Sequence, residues 1–137
     1  MMNDVIAPDE ILARYITSSR WFRRQNLTVK VKQDAFIPPD SELSVTRHLG
    51  LTEEGIWAIG KKIAASIPRS LHGRADVETS SVIAQHLNVV PQPANDNPNH
   101  ANIINWPQDK DAGKMCALEI ARVAHFVANP EAGVQTP

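Results

Sequence analysis

Residues 97–107, which read NPNHANIINWP, decide how the second half of the chain folds, because they join its most turn-rich tract to its clearest helical pattern. Residues 101–105 are predicted as a short strand, with His100 and Asn102 on one face. Trp106 stands before a proline, which favours extended backbone, and its ring is expected to be buried against the next element. That element is a helix predicted over residues 108–127, with an acidic first turn that suits the helix dipole.

Upstream of this stretch the pattern is mainly that of strands and loops. Residues 91–99 hold three prolines, three asparagines and one aspartate, which predicts a surface loop. Apolar and polar residues alternate over residues 27–33 and again over residues 42–48, as in half-buried strands. We predict that these two segments form a hairpin-like pair, with residues 35–37 extending the first strand. Residues 75–79 alternate in the same way and are predicted as a further strand.

Helical patterns surround these strands. Residues 8–18 begin with a proline and two acidic residues and continue with apolar residues at helical spacing, which predicts an N-terminal helix. Thr52 is a suitable N-cap for a second helix over residues 52–67, which should end before Pro68. Residues 80–87 fit either a strand or a short helix, and extended structure is favoured.

These elements predict the α+β fold class. We expect a small, mostly antiparallel sheet with the helices at 52–67 and 108–127 packed on it, and the N-terminal helix at an edge. Residues 1–128 are predicted to form one domain, because no internal repeat or second boundary is visible. Residues 129–137 lack a core-forming pattern and are predicted as a flexible C-terminal tail.

Composition excludes several classes of protein. The chain has 137 residues and a net charge of −1, and it contains one cysteine, so neither an internal disulfide nor a cysteine-based zinc site is expected. No apolar run reaches the length of a membrane span, and the first residues lack the pattern of a signal peptide. A cytoplasmic location without membrane association is therefore predicted. The charge is uneven, because residues 1–74 carry eleven basic and eight acidic side chains whereas residues 75–137 carry three and seven.

Metal and cofactor motifs are missing from the sequence. The five histidines are not spaced as local metal ligands are, and no phosphate-binding glycine loop or nucleophile motif is present. Cys116 lies on the apolar face of its predicted helix, where a thiol is normally inert. We expect no metal and no cofactor.

A catalytic alternative depends on arginine and histidine side chains at predicted strand ends and loops. Arginine binds phosphate or carboxylate, and histidine transfers protons near neutral pH, so such a set could process a phosphodiester or a nucleotide. Strand alternation places Arg47 and His48 on opposite faces, which weakens this interpretation. The candidate catalytic residues are Arg47, His72, Arg74, His100 and Asn102.

A binding alternative depends on the basic segment from Arg20 to Lys32, in which arginines alternate with aromatic residues. Such a surface can hold phosphates and stack on bases, although the sequence pI of about 6.5 is low for a dedicated nucleic-acid binder. Trp21 and its neighbour Phe22 are more simply explained as core residues with the arginines in solvent. The candidate binding residues are Arg20, Trp21, Arg23, Arg24, Lys30, Lys32 and Trp106.

The function favoured by these observations is a small non-catalytic interaction module that binds a protein partner or assembles with itself. The first alternative is an enzyme that uses the arginine and histidine set for phosphodiester, nucleotide or RNA processing. The second is a nucleic-acid-binding accessory protein that uses the basic segment from Arg20 to Lys32.

Overall fold

The computed structural model describes residues 5–131, which form a six-stranded antiparallel sheet, a separate two-stranded hairpin and three helices. This confirms the α+β class. The strands are β1 (Ile11–Ile16), β2 (Phe22–Gln25), β3 (Thr28–Val31), β4 (Leu43–Arg47), β5 (Gly73–Glu78), β6 (Asn88–Pro91), β7 (His100–Ile104) and β8 (His125–Ala128). The helices are α1 (Glu53–Ser66), α2 (Thr79–Ile83) and α3 (Lys110–Val123), and 3-10 turns lie at Ser19–Trp21 and Gln33–Phe36.

The first strand, β1, lies inside the sheet, whose order is β6-β7-β4-β1-β5-β8. The predicted N-terminal helix over residues 8–18 is therefore wrong. Leu12 and Ile16 are buried on one face of the sheet, and Ala13 and Tyr15 on the other. A strand buried on both faces reads as a continuous apolar run, and such a run also fits a helical spacing.

Helices cover both faces of the sheet. On the α1 face, Tyr15 packs with Ile56, Trp57 and Leu71 in one apolar cluster. On the α3 face, a larger cluster joins the strands to Ala117 and Ile120 of α3 and to the 3-10 turn at Gln33–Phe36. The two main helices are therefore packed on the sheet as predicted, one on each side of it.

The strand predicted at 27–33 is present as β3, but its partner is β2 and not residues 42–48. Residues 42–48 contain β4, which pairs with β1 and β7 inside the main sheet. The predicted extension over residues 35–37 is also wrong, because the chain makes a 3-10 turn there that buries Ala35 and Phe36 completely. The free energy gained by burying these two side chains outweighs the local preference for extended backbone that the alternating pattern indicates.

The helix predicted from the Thr52 cap begins there, and α3 begins at Lys110, two residues after its predicted start, with Asp109 as its N-cap. The Thr52 hydroxyl accepts a hydrogen bond from the Gly55 N–H at 3.0 Å, and the Asp109 carboxylate accepts one from the Ala112 N–H at 2.9 Å. However, α3 ends at Val123, and the last residues of the predicted helix over 108–127 form the edge strand β8.

Two further predictions are corrected. Residues 79–83 are the short helix α2 rather than extended structure, with Val82 fully buried. The loop over residues 91–99 runs along the surface, yet Asn97 and Asn99 are each only 3% exposed. Asn99 Nδ2 donates to two backbone carbonyls, at 2.8 and 2.7 Å, which ties the loop to the end of β4.

The strand predicted at 101–105 is confirmed as β7, and Trp106 is half-buried rather than buried. Its indole Nε1 donates to the Ile103 carbonyl at 2.9 Å. The predicted tail starts at Asn129, which is buried and donates to the Leu71 carbonyl at 2.9 Å. Residues 132–137 of that predicted tail lie outside the described residues.

Candidate functional site

The basic segment from Arg20 to Lys32 forms a two-stranded hairpin, β2–β3, that stands apart from the main sheet. Four residue pairs make its ladder, and Asn26 turns the chain with a left-handed φ of 54°, a conformation that asparagine tolerates better than most residues. Leu27 follows at the tip and is fully exposed. We call this element the basic hairpin.

The inner face of the basic hairpin is fixed to the protein by its aromatic residues. The Phe22 ring stacks on the Phe126 ring of β8, with 5.2 Å between centroids, and Val31 opposite Phe22 is buried. Trp21 receives the Arg14 guanidinium 4.9 Å from its ring centroid. These two rings are half-buried and engaged in packing, which leaves less of each ring available to stack on bases.

The outer face of the basic hairpin carries charge. Arg23 lies directly opposite Lys30, an arrangement of like charges that is unfavourable without a counter-charge. The sequence from residue 20 to residue 32 contains no acidic residue. Among the described residues, none forms an ion pair with the five exposed cations of this segment, which are Arg20, Arg23, Arg24, Lys30 and Lys32.

The candidate catalytic residues do not form a single site. Arg47 lies on the α3 face, only 1% exposed, and its Nε and Nη2 donate to the Glu10 carboxylate at 2.5 and 2.9 Å. Arg74 and His100 lie on the opposite face, on β5 and β7, with β4 and β1 between them. Three strand spacings separate these two strands by roughly 14 Å.

The remaining candidates have local partners. His100 Nδ1 donates to the Gln92 carbonyl at 2.9 Å, and Asn102 donates to the carboxylate of Glu42 at 3.0 Å and to the side-chain oxygen of Gln92. His72 lies immediately before β5, where its ring contacts Phe22 at 5.3 Å between centroids. The structure therefore brings His100 and Asn102 together, and places Arg47, His72 and Arg74 elsewhere.

A second charged cluster, around Arg74, was only partly visible in the sequence. Arg74 is 3% exposed, and its guanidinium donates to Asp76 at 3.0 Å and to Glu53 at 2.9 Å while lying 4.8 Å from the Trp57 ring centroid. His48 completes the cluster, with its Nε2 3.1 Å from an Asp76 oxygen. The alternation of Arg74 and Asp76 along β5 places them on one face, but neither His48 nor Glu53 is near them in sequence.

This cluster holds the first turn of α1 to the sheet. The hydrogen bond that Arg74 donates to Glu53 lowers the pKa of the Glu53 carboxyl group. Glu53 also lies in the first turn of α1, where a negative charge is favourable. A cavity of about 470 Å³ adjoins the cluster and also contacts His125. Among the described residues, Asp76 is the only hydrogen-bond partner of the His48 side chain, so no nucleophile is paired with it.

Two further kinds of feature are absent from residues 5–131. Within that range, no three His, Cys, Asp or Glu side chains are grouped as metal ligands would be. No helix in the same range is long and apolar enough to cross a membrane. Trp106 packs partly against the core and lines a cavity with Lys110 and Pro38, and no residue of the basic hairpin lines that cavity. In comparisons with known proteins, no family model, curated protein or solved structure matches the chain.

Proposed function

We propose that this protein is a non-catalytic binding module whose basic hairpin holds duplex nucleic acid by its phosphates. The observation that carries the proposal is the set of five exposed cations on one short hairpin, none of them in an ion pair with a described residue. Such cations release the counterions of a polyanion when it binds, which is the main source of affinity for nucleic acid.

The shape of the hairpin supports duplex rather than single-stranded nucleic acid. Proteins that bind single strands stack the bases on aromatic side chains, and here the rings of Trp21 and Phe22 are engaged in packing. The major groove of DNA admits a two-stranded ribbon. The outer face presents Arg23 and Lys30 in one pair, and Gln25 and Thr28 in the next, so charged donors lie beside neutral ones.

The low overall pI does not oppose this proposal. Electrostatic attraction depends on the local charge within about a Debye length, roughly 8–10 Å at moderate salt, and not on the total. The acidic excess of the chain lies in residues 75–137, outside the hairpin itself, although Glu131 lines a cavity that Arg24 also lines. The protein can therefore present a basic element while its net charge is −1.

Binding to a mixed-sequence DNA duplex, measured by fluorescence anisotropy at several salt concentrations, tests the proposal. If three or four cations contact phosphates, the slope of log K against log salt should be about −3 to −4. The double variant Arg23→Gln/Lys30→Gln should have a slope that is shallower by about two. The matched control replaces the exposed Lys62 and Lys110, which lie on helices, and should leave the slope unchanged.

Two results would remove the proposal. One is the absence of duplex binding at low salt. The other is equal weakening by the control pair, which would show that only total charge matters. Equal binding to poly-glutamate, with the same loss in the hairpin variant, would instead indicate an acidic protein as the partner.

The exposed hairpin tip supports a second candidate, which is docking on a protein partner or on another copy of the chain. Leu27 is fully exposed, and an apolar side chain in that position can enter a pocket of a partner. Molar mass by light scattering, compared between the protein and Leu27→Ser, tests self-association. A monomer at all concentrations in both proteins would exclude assembly through this tip.

A further inference from the structure

Arg14 is a desolvated cation without a carboxylate partner. It lies in the central strand β1, where its Nε donates to the Ala35 carbonyl at 2.8 Å and its Nη1 donates to the Ser44 carbonyl at 3.2 Å. Among the described residues, none forms an ion pair with it. Burial lowers the pKa of Arg14 to about 10, so the side chain is still charged at neutral pH.

The third guanidinium nitrogen of Arg14, Nη2, has no hydrogen-bond partner among the described residues. Within residues 5–131, every fully buried side-chain nitrogen or oxygen has a partner. Nη2 must therefore be reachable from solvent. It provides two N–H groups that are free to bind a ligand.

Arg14 is one of the residues that line a cavity of about 160 Å³, whose lining includes Tyr15 from the α1 face and Val45 from the α3 face. The cavity lies where β1 and β4 separate, because their ladder consists of only two pairs, from Leu12 to Arg47 and from Ala13 to Thr46. Ile63 and Ile67, from the C-terminal end of α1 and the residue after it, form one wall.

The charged residues that line the cavity are both arginines, Arg14 and Arg69. None of its eleven lining residues is acidic. Thr17 and Thr46 also line it, and the rest of the lining is mainly apolar, with Trp21 and Ile63 contributing. A mostly apolar cavity with a few converging donors is typical of small-molecule sites.

We propose that this cavity binds a small organic carboxylate, with its carboxylate on Arg14 Nη2 and its apolar body against α1. The size agrees with this class of ligand, because an apolar cavity of about 150 Å³ holds one benzene ring. A carboxylate would supply the counter-charge that Arg14 lacks, and the apolar wall would be unfavourable for the hydration shell of a phosphate. The site is distinct from the outer face of the basic hairpin.

Benzoate is a suitable probe, with benzamide as its neutral counterpart of the same shape. We expect saturable benzoate binding by NMR titration, and binding of benzamide that is weaker by about tenfold or more, since a charge-assisted hydrogen bond is lost. The indole N–H signal of Trp21 should shift. The signals of Trp57 and Trp106 should not, because these residues do not line the cavity.

Variants of the two arginines locate the interaction. Arg14→Gln should weaken benzoate binding by about tenfold or more. Arg69→Gln, at an exposed position that leaves the fold intact, should weaken it by about two- to fivefold. The matched control is Arg122→Gln, on the exposed face of α3, which should leave binding unchanged.

Equal affinity for benzoate and benzamide would overturn the proposal, as would shifts at Trp57 or Trp106 in place of Trp21. Tighter binding of inorganic phosphate than of benzoate would show that the ligand class is wrong. If Arg14→Gln does not fold, the comparison of benzoate with benzamide and the Arg69→Gln variant still decide the question.

Discussion

Raising the pH should show how strongly the fold depends on a single phenol. Tyr15 is the only tyrosine in the chain, and it lies in the centre of the α1 face, 6% exposed. Its hydroxyl donates to the Ile56 carbonyl at 2.5 Å. Burial raises the pKa of Tyr15 to about 12 from the ordinary value of 10.0. Ionisation would place a negative charge in this cluster and remove the donated proton.

The size and sign of the effect follow from this shift. Two pKa steps at about 1.36 kcal/mol each give roughly 2–3 kcal/mol of stability linked to the protonated phenol. Because the folded protein holds the proton more tightly than the unfolded chain, this contribution is complete below about pH 10. It is lost progressively as the pH rises through 10 towards the folded pKa of about 12.

Two measurements test this prediction. The near-UV absorbance of tyrosinate reports on Tyr15 alone, and its midpoint should lie near pH 12 for as long as the protein is folded. Urea unfolding of the protein and of Tyr15→Phe supplies the energies. Near pH 8 the variant should be less stable by about 1 kcal/mol, since it lacks one hydrogen bond. Near pH 11 or above, the order should reverse.

The control in this comparison is built in, because the lysines titrate in both proteins and cancel in the difference. A tyrosinate midpoint near pH 10, with native circular dichroism retained, would refute the reasoning. An energy difference between the protein and Tyr15→Phe that does not change with pH would refute it independently.

Three further predictions concern single side chains. Gly60→Ala should destabilise the protein by about 1–3 kcal/mol, because the added Cβ would lie 2.6 Å from the Tyr15 ring. Gly113→Ala, whose added Cβ would have no neighbour nearer than 4.0 Å, should stabilise the protein through α3 by about 0.5–1 kcal/mol. Thermal unfolding of both variants tests these two expectations. Asn99→Ala should cost about 1–3 kcal/mol by leaving two carbonyls without their donor, and Asn95→Ala, which is exposed, should cost little in the same urea titration. The pKa of Glu53 is lowered in the folded protein, so its carboxylate stabilises the fold above about pH 4.5, and this stabilisation is lost as the pH falls through the folded-state pKa. In an acid titration, the stability of Glu53→Gln should therefore lack the pH dependence that Glu53 contributes.

Local signals in the sequence predicted the elements whose ends are fixed locally. Thr52 caps α1, and the apolar stripe behind it meets the sheet, so cap and periodicity agree. In β1 the two kinds of signal conflict, because both sides of the strand are buried and its spacing resembles that of a helix. Only its pairing with β4 and β5 resolves the ambiguity, and that pairing depends on residues distant in sequence.

The candidate sites, too, could be predicted only where their residues are close together in sequence. The basic segment could be predicted from sequence because all its cations fall within thirteen residues. Its hairpin could not, because residues 22–25 were not predicted as a strand and residues 27–33 were assigned another partner. The cluster around Arg74 could not, because it combines residues from β4, α1 and β5. The cavity at Arg14 also arises from the packing of separate elements, and in particular from the point where two strands separate.

Three neighbouring strands of the sheet each carry an arginine, and comparing them shows why Arg14 is the exception. Arg47 on β4 is matched by Glu10, and Arg74 on β5 is matched by Glu53 and Asp76. Burying a charge is costly unless it is paired, and both of these arginines follow that rule. Arg14 on β1 has two carbonyl partners and the Trp21 ring but no carboxylate, and it lines a cavity without acidic residues. Since the fold supplies counter-charges to its neighbours, the missing partner of Arg14 is best explained as a place for an anion from outside the chain.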